Sequence, residues 1–180
     1  MTTHSWRPRH LLHLARRAWD SSRARPLGPR EESEVAGLAD GRLAELFWAQ
    51  PVMDQRHALE AARYALATAP GRRDLARASL LHDCGKRHSR LGVTGRTLAT
   101  LTSLLRISPP QRWALYLNHA RIGADELAAA GAEPMVVEFA RHQDDERPDQ
   151  IALEDWLVLK AADGESHRGP VDNQYDGSQQ

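Results

Sequence analysis

The chain has 180 residues, and its 24 Lys and Arg residues balance 24 Asp and Glu residues, so the formal net charge is zero. That balance excludes a global field that would attract nucleic acid or a membrane surface, and no nucleic-acid partner is expected. Hydrophobic residues make up 41% of the chain, but no apolar run approaches the roughly eighteen residues of a membrane span. The single cysteine, Cys84, excludes an internal disulfide and is typical of a reducing compartment, so we expect a cytoplasmic protein.

An arginine-rich arm begins the chain. Residues 1–30 carry seven Arg against one acidic residue, and residues 10–20 place Leu and Trp side chains at helical spacing. One interpretation is a patch that makes peripheral contact with anionic lipid or another polyanion. The interpretation that we favour is a short helix packed through its apolar side, with its arginines in water. We treat residues 1–30 as a basic N-terminal extension of the main domain.

Helical periodicity dominates the rest of the chain. Apolar residues recur at helical spacing over residues 31–164, and no alternating strand pattern of useful length occurs. Asp40 and Pro51 stand where helices are expected to begin, and Gly131 stands where one is expected to end. We predict an all-α domain of about seven or eight helices over this range. Residues 165–180 are rich in Gly, Asp, Ser and Gln, which predicts a disordered tail.

Histidine and aspartate residues recur at the predicted helices in a pattern that suits a metal site. The segment "LLHDCGK" (residues 80–86) ends an apolar run with His82 and Asp83 side by side. Adjacent helical residues project about 100° apart, so both side chains reach one cluster if the helix end faces it. The remaining candidates, each in a different predicted helix, are His57, His119, His142 and Asp163. Imidazoles mixed with carboxylates from several helices suit Fe, Mn, Co, Ni or Zn.

This order of residues resembles the HD phosphohydrolase superfamily, whose binuclear members carry His, His-Asp, His, His and Asp in sequence. The resemblance covers roughly residues 51–164. It is strongest in "LLHDCGK" and in "NHARIGADEL" (residues 118–127). These segments match the family forms apolar-apolar-His-Asp-x-Gly-Lys and His-x-x-x-Gly-x-x-x-Leu. The resemblance implies an HD-like helical bundle with a metal-dependent phosphohydrolase activity on a small phosphorylated compound, most simply a nucleotide.

The resemblance also implies which residues hold metal. His57, His82, Asp83 and Asp163 would bind one divalent transition ion, and Asp83 would bridge to a second that His119 and His142 complete. Fe or Mn is expected first, with Zn, Co or Ni as alternatives. Asp83 would also hold and orient the nucleophilic hydroxide between the two ions.

Departures from the family pattern narrow the substrate class. His142 is followed by Gln143, where cyclic-dinucleotide phosphodiesterases carry a second His. Gly85 and Lys86 stand where hydrolases of guanosine tetraphosphate carry an acidic pair. The motif is closest in form to bacterial HD-type hydrolases that split diadenosine tetraphosphate symmetrically, and to small uncharacterised HD proteins of high-GC bacteria. A di-iron HD-type oxygenase stays open, since it uses the same ligand set. A non-catalytic binding or signalling module is disfavoured because all six ligands are present.

A basic run follows the His-Asp pair. Residues 86–96 contain four Lys and Arg residues and no acidic residue. Lys86 lies three residues after Asp83 and therefore on the same helical side, where it would neutralise substrate phosphate or pair with a ligand carboxylate. With Asp83, Lys86 is a candidate catalytic residue. We expect Lys86, Arg87 and Arg90 to bind substrate, with a solvated basic loop as the alternative.

Three other features have simple interpretations. Cys84 is expected to be a small buried residue and not a nucleophile. Asp144 and its two acidic neighbours are expected to form a solvated loop, or to supply a hydrogen-bond partner for His142. Trp48, Trp113 and Trp156 lie on apolar helix faces and are expected in the core.

Overall fold

The computed structural model describes residues 24–92, 95, 96, 99 and 110–165, and all regular structure within them is helical. An all-α fold is therefore confirmed, with eight α-helices in the described residues. They are α1 (Pro29–Leu38), α2 (Gly41–Trp48), α3 (Val52–Thr68), α4 (Arg73–Leu81), α5 (Gln111–Leu117), α6 (His119–Ala129), α7 (Pro134–His142) and α8 (Leu153–Glu165). A 3-10 helix, Cys84–Ser89, follows α4.

Several predictions concern residues outside this description. Most of the basic extension, up to residue 23, lies outside it, and so does the tail from residue 166 onward. Much of the segment between α4 and α5 lies outside it as well, at residues 93–94, 97–98 and 100–109. The interpretations of these three segments stay predictions.

Helix boundaries follow local sequence chemistry. α1 starts at Pro29, and the Glu31 side chain accepts a hydrogen bond of 2.9 Å from the backbone N–H of Gly28. Asp40 and Pro51 precede α2 and α3, as their residue types predict. Gly131 follows α6 with φ 81°, a left-handed conformation that favours glycine at a helix end.

The core is built around α4. Its apolar residues, among them Leu75, Leu80 and Leu81, are buried, and α4 packs against α3, α7 and α8. α3 packs against α4 and α8, and it carries a row of alanines with no exposed surface, which are Ala58, Ala61, Ala62 and Ala65. Small side chains at a helix contact let two helix axes approach closely. This packing places the middle of α3 beside the C-terminal end of α4.

One ion pair attaches the start of α8 to the start of α4. Arg72 donates hydrogen bonds of 2.8 and 3.0 Å to the two carboxylate oxygens of Asp155, and it also binds Asp74. Its planar guanidinium suits such paired contacts with carboxylates. The ion pair orients α8 so that the helix runs along α3 and α4.

Few large apolar side chains are exposed on the described helices. Trp48 is 40% exposed, so its expected place in the core is wrong. It is the last residue of α2 and its ring lies edge-on to Phe47, with 4.9 Å between centroids, which leaves its outer face in solvent. Over the described part of the chain, no helix has both the length and the apolar content to cross a bilayer.

Candidate metal centre

Five of the six predicted metal ligands meet where α3, α4, α6 and α8 converge. His57 lies in α3, His82 and Asp83 directly follow α4, His119 is the first residue of α6, and Asp163 lies in α8. The ligand atoms of His57, His82 and Asp83 all lie within 4.8 Å of one another. The ring centroids of the two histidines are 5.6 Å apart. This group therefore has the composition and spacing to hold a metal ion.

The distances from Asp83 Oδ2 and Asp163 Oδ1 to the nearby histidines suit ligands of one shared metal ion. Asp163 Oδ1 lies 3.3 Å from His57 Nε2 and 3.4 Å from His82 Nε2. Asp83 Oδ2 lies 3.4 Å from His82 Nε2 and 3.9 Å from His57 Nε2. Two ligand atoms that are each about 2.1 Å from one ion stand roughly 3 to 4 Å apart. Each of these four separations therefore lies in the range expected between two ligands of one ion.

The two carboxylate oxygens of Asp83 face different histidines. Oδ2 faces His57 and His82, whereas Oδ1 lies 3.5 Å from His119 Nε2. A carboxylate with an imidazole nitrogen near each oxygen has the arrangement of a bridging ligand. Asp83 is 1% exposed, so its oxygens have these histidines and Lys86 as neighbours in place of water.

Backbone carbonyls set the tautomers of two histidines. His82 Nδ1 lies 2.8 Å from the carbonyl oxygen of Ser79, and His119 Nδ1 lies 2.7 Å from that of Tyr116. A carbonyl oxygen only accepts, so each Nδ1 donates, and in the neutral ring Nε2 carries the lone pair. Both Nε2 atoms point at the carboxylates. Metal-binding histidines are commonly oriented in this way.

Three polar atoms of the cluster lack a hydrogen bond. Nε2 of His82, Nε2 of His119 and Oδ1 of Asp83 are buried and make none with the described part of the chain. A buried polar atom left without a hydrogen bond costs about 1–3 kcal/mol. Bound cations that accept the lone pairs of these atoms would remove this cost, so the donor set fits bound metal.

Electrostatics keep the carboxylates ionised. Burial by itself would raise the pKa of Asp83, but His82 and Lys86 hold it well below its usual range. Burial would likewise raise the pKa of Asp163, and contacts with His57 and His82 lower it. For His82, burial would lower the pKa, yet Asp83 and Asp163 raise it to about 9. The centre thus holds two ionised carboxylates, Asp83 fully buried and Asp163 partly buried, that attract positive charge.

His142 lies apart from these five side chains. It ends α7, and its Nε2 lies 3.6 Å from Glu138 Oε2 on the same helix. Among the described residues it forms no ion pair with the other predicted ligands. Asp144, two residues later, instead reaches the cluster, with Oδ2 3.8 Å from His119 Nε2. A metal-binding role for His142 stays a prediction.

Two glycines explain why His119 lies so near Asp83. A Cβ on Gly85 would overlap the carbonyl oxygen of His119 and lie 2.8 Å from the backbone nitrogen of Gly123. A Cβ on Gly123 would lie 3.0 Å from the backbone nitrogen of Gly85 and 3.3 Å from Cys84 Sγ. The 3-10 helix and α6 therefore touch backbone to backbone. These are the glycines of the two sequence motifs.

The basic run is largely paired within the protein. Lys86 Nζ forms an ion pair with Asp83 Oδ2. This contact corresponds to the second role considered for Lys86, in which it pairs with the carboxylate of a candidate ligand. Arg87 donates a hydrogen bond of 2.6 Å to Glu126 Oε1 and another of 2.7 Å to the Cys84 carbonyl oxygen. Arg90 is exposed, and its guanidinium makes no hydrogen bond or ion pair with described residues. Substrate binding by these three residues stays a prediction.

Supporting residues around His82 escaped the sequence analysis. The buried side chain of Gln143 donates a 2.8 Å hydrogen bond to the His82 carbonyl, so Gln143 has a structural role beside the centre. The ring of Phe139 lies 5.8 Å from the His82 ring and packs on Trp156. The carbonyl partners of His82 and His119 carry no sequence signal, because every residue type has a backbone carbonyl.

Cys84 is buried and inert. Burial raises the pKa of its thiol to about 12, and its Sγ lies 3.8 Å from the Gly123 carbonyl oxygen. A thiol with this pKa is protonated at neutral pH and is a poor nucleophile. Its small size also suits the close contact of Gly85 with α6.

Comparison with family models, with curated proteins and with solved structures finds no match for this chain. The resemblance to the HD superfamily therefore depends on the sequence motifs, and the family assignment stays a prediction.

Proposed function

We propose that the chain is an HD-type, metal-dependent phosphohydrolase that acts on a small phosphorylated compound, with nucleotides as the first class to test. The main support is the position of Asp83, whose two oxygens face different imidazole nitrogens in a buried cluster. When bound there, divalent transition ions, Fe or Mn first, would supply a water of lowered pKa and would polarise a phosphoryl oxygen.

The side chains have separate tasks in this proposal. His57, His82 and Asp163 would hold the first ion with Asp83 Oδ2, and His119 would hold a second with Asp83 Oδ1. The resemblance adds His142 to the second position. Ser79 and Tyr116 keep the Nε2 lone pairs of His82 and His119 turned toward the centre. The protein thus orients its ligands before a substrate arrives.

Cations beside the centre favour an anionic substrate. The Lys86 ammonium contacts Asp83 Oδ2, the oxygen that would bind the proposed first ion. Arg90 is exposed at the end of the 3-10 helix. Both suit phosphate oxygens. Arg87 is held by Glu126, so a substrate contact from Arg87 would compete with that ion pair. The positive charge that Lys86 places at Asp83 favours hydrolysis of a phosphate compound over the di-iron oxygenase alternative.

The proposal is tested on protein purified without oxygen. Metal analysis comes first, followed by a panel of nucleoside phosphates, diadenosine polyphosphates and guanosine tetraphosphate supplied with Fe²⁺ or Mn²⁺. Phosphate release and chromatography of nucleotide products report hydrolysis. We expect metal-dependent cleavage of at least one class. Iron-dependent oxygen uptake without cleavage would support the oxygenase alternative, and bound metal with neither activity would support a binding module.

Lys86→Met separates two roles for the lysine. If Lys86 binds substrate phosphate, kcat/KM should fall about 10- to 100-fold, as expected for a lost charge-assisted hydrogen bond, with metal content unchanged. Steady-state kinetics and metal analysis on the same preparation measure both quantities. Loss of metal would instead show that Lys86 supports Asp83. Arg42→Met, which removes an exposed cation on α2, is the matched control and should change neither quantity.

A further inference from the structure

The loop after α7 brings an additional carboxylate to His119. Asp144 is 71% exposed, and its Oδ2 lies 3.8 Å from His119 Nε2. The same nitrogen lies 3.5 Å from Asp83 Oδ1. Among the described residues, His119 forms ion pairs with these two carboxylates alone. One imidazole nitrogen therefore faces two carboxylates that come from different parts of the chain.

Two atoms of this group are buried and lack a hydrogen bond, which points to a ligand between them. The His119 side chain is 7% exposed and that of Asp83 is 1% exposed. His119 Nε2 and Asp83 Oδ1 make no hydrogen bond with described residues. The Nδ1–H of His119 is donated to the Tyr116 carbonyl, so Nε2 is free to act as a ligand. Separations near 3.5 Å suit two ligands of one ion.

Among the described residues, His142 forms no ion pair with Asp83, the carboxylate that faces His119. Its Nε2 lies 3.6 Å from Glu138 Oε2, one turn earlier on α7. Its imidazole is thus engaged within its own helix. Asp144 lies beyond the helix end, on a turn that carries it past α7 toward the start of α6.

We propose that Asp144 closes a second cation position with Asp83 Oδ1 and His119 Nε2, and that this position takes a hard divalent ion, Mn²⁺ or Mg²⁺. This assignment deepens the proposed function, and it rests only on the part of that function that concerns metal binding. The ligand assigned here is Asp144, in the place where the sequence motif puts His142.

The donor set explains the choice of ion. The first position offers two imidazole nitrogens and two carboxylate oxygens, whereas the second offers one nitrogen and two carboxylate oxygens. Carboxylate-rich sets suit Mn²⁺ and Mg²⁺, and imidazole-rich sets suit Fe and Zn. The exposed Asp144 leaves room for water or phosphate oxygens, which Mg²⁺ and Mn²⁺ retain in many phosphate-binding sites. The second position should therefore bind more weakly than the first.

Binding of Mn²⁺ to metal-free full-length protein tests the proposal. Free Mn²⁺ is followed by its electron paramagnetic resonance signal in wild type and in Asp144→Asn, Asp145→Asn and His142→Gln. We expect one tight and one weaker step in wild type. Asp144→Asn should weaken the second step at least tenfold and spare the first, since loss of even a supporting contact commonly costs 10- to 100-fold. Asp145→Asn, a neighbouring exposed carboxylate, should match wild type.

Three outcomes would overturn the proposal. They are a single step in wild type, an unchanged second step in Asp144→Asn, and loss of that step in His142→Gln alone. Circular dichroism confirms that each variant is folded. Failure of the proposed function looks different, because both steps and their dependence on Asp144 would persist without hydrolysis of any nucleotide in the panel.

Discussion

Asp83→Ala protein is expected to bind less than about a tenth of the wild-type metal and to lose hydrolysis by about 10³-fold or more. The reason is that Asp83 faces both proposed cation positions, with Oδ2 toward His57 and His82 and Oδ1 toward His119. Elemental analysis of protein prepared under metal-replete, reducing conditions measures the metal, and the best nucleotide from the panel measures turnover. Asp83→Asn serves as a second variant that keeps the side-chain shape.

His119→Ala is the informative partner of that variant. His119 contacts Oδ1 of Asp83 and Asp144, so its truncation should remove about half of the metal and leave the first position filled. Asp125→Ala, which removes an exposed carboxylate on α6, should keep the full metal content. If wild type binds one ion per chain and His119→Ala binds the same amount, the binuclear interpretation is wrong.

Gly85→Ala is expected to destabilise the fold by about 3 kcal/mol or more and to deplete the metal centre. A Cβ at this position overlaps the His119 carbonyl oxygen and crowds the Gly123 nitrogen, and both are backbone atoms that cannot rotate away. The 3-10 helix and α6 must therefore separate, which moves Asp83 and His119 apart. Urea denaturation measures the free energy of unfolding, and elemental analysis measures the metal.

Gly92→Ala is the matched control for this glycine. It lies shortly after the same 3-10 helix, and a Cβ there would meet nothing within 4 Å. We expect its unfolding free energy to stay within about 0.5 kcal/mol of wild type, as is usual for surface positions. Equal stability of Gly85→Ala and Gly92→Ala would contradict the close contact of the two helices.

Much of the fold was predictable because its signals are local. The signals are the helical spacing of apolar residues, Asp40 and Pro51 before α2 and α3, and Gly131 after α6, and each depends on neighbours within about one turn. Such local rules gave an all-α fold with nearly correct helix ends. The prediction for Trp48 was wrong because periodicity identifies an apolar helix face but does not show which part of that face is covered by other helices.

The candidate site, like the fold, was predictable from the sequence only in part. The sequence by itself determined the candidate ligands and their order, including His57, His82, Asp83, His119 and Asp163, because the motifs combine residue type with short spacing. Only the tertiary structure decided that Asp83 presents one oxygen to His57 and His82 and the other to His119, and that Asp144 Oδ2 lies 3.8 Å from His119 Nε2. It also decided that Glu126 pairs with Arg87, 39 residues earlier. These relations depend on how helices distant in sequence pack, and helix packing follows from the shapes of facing surfaces, which local propensity does not specify.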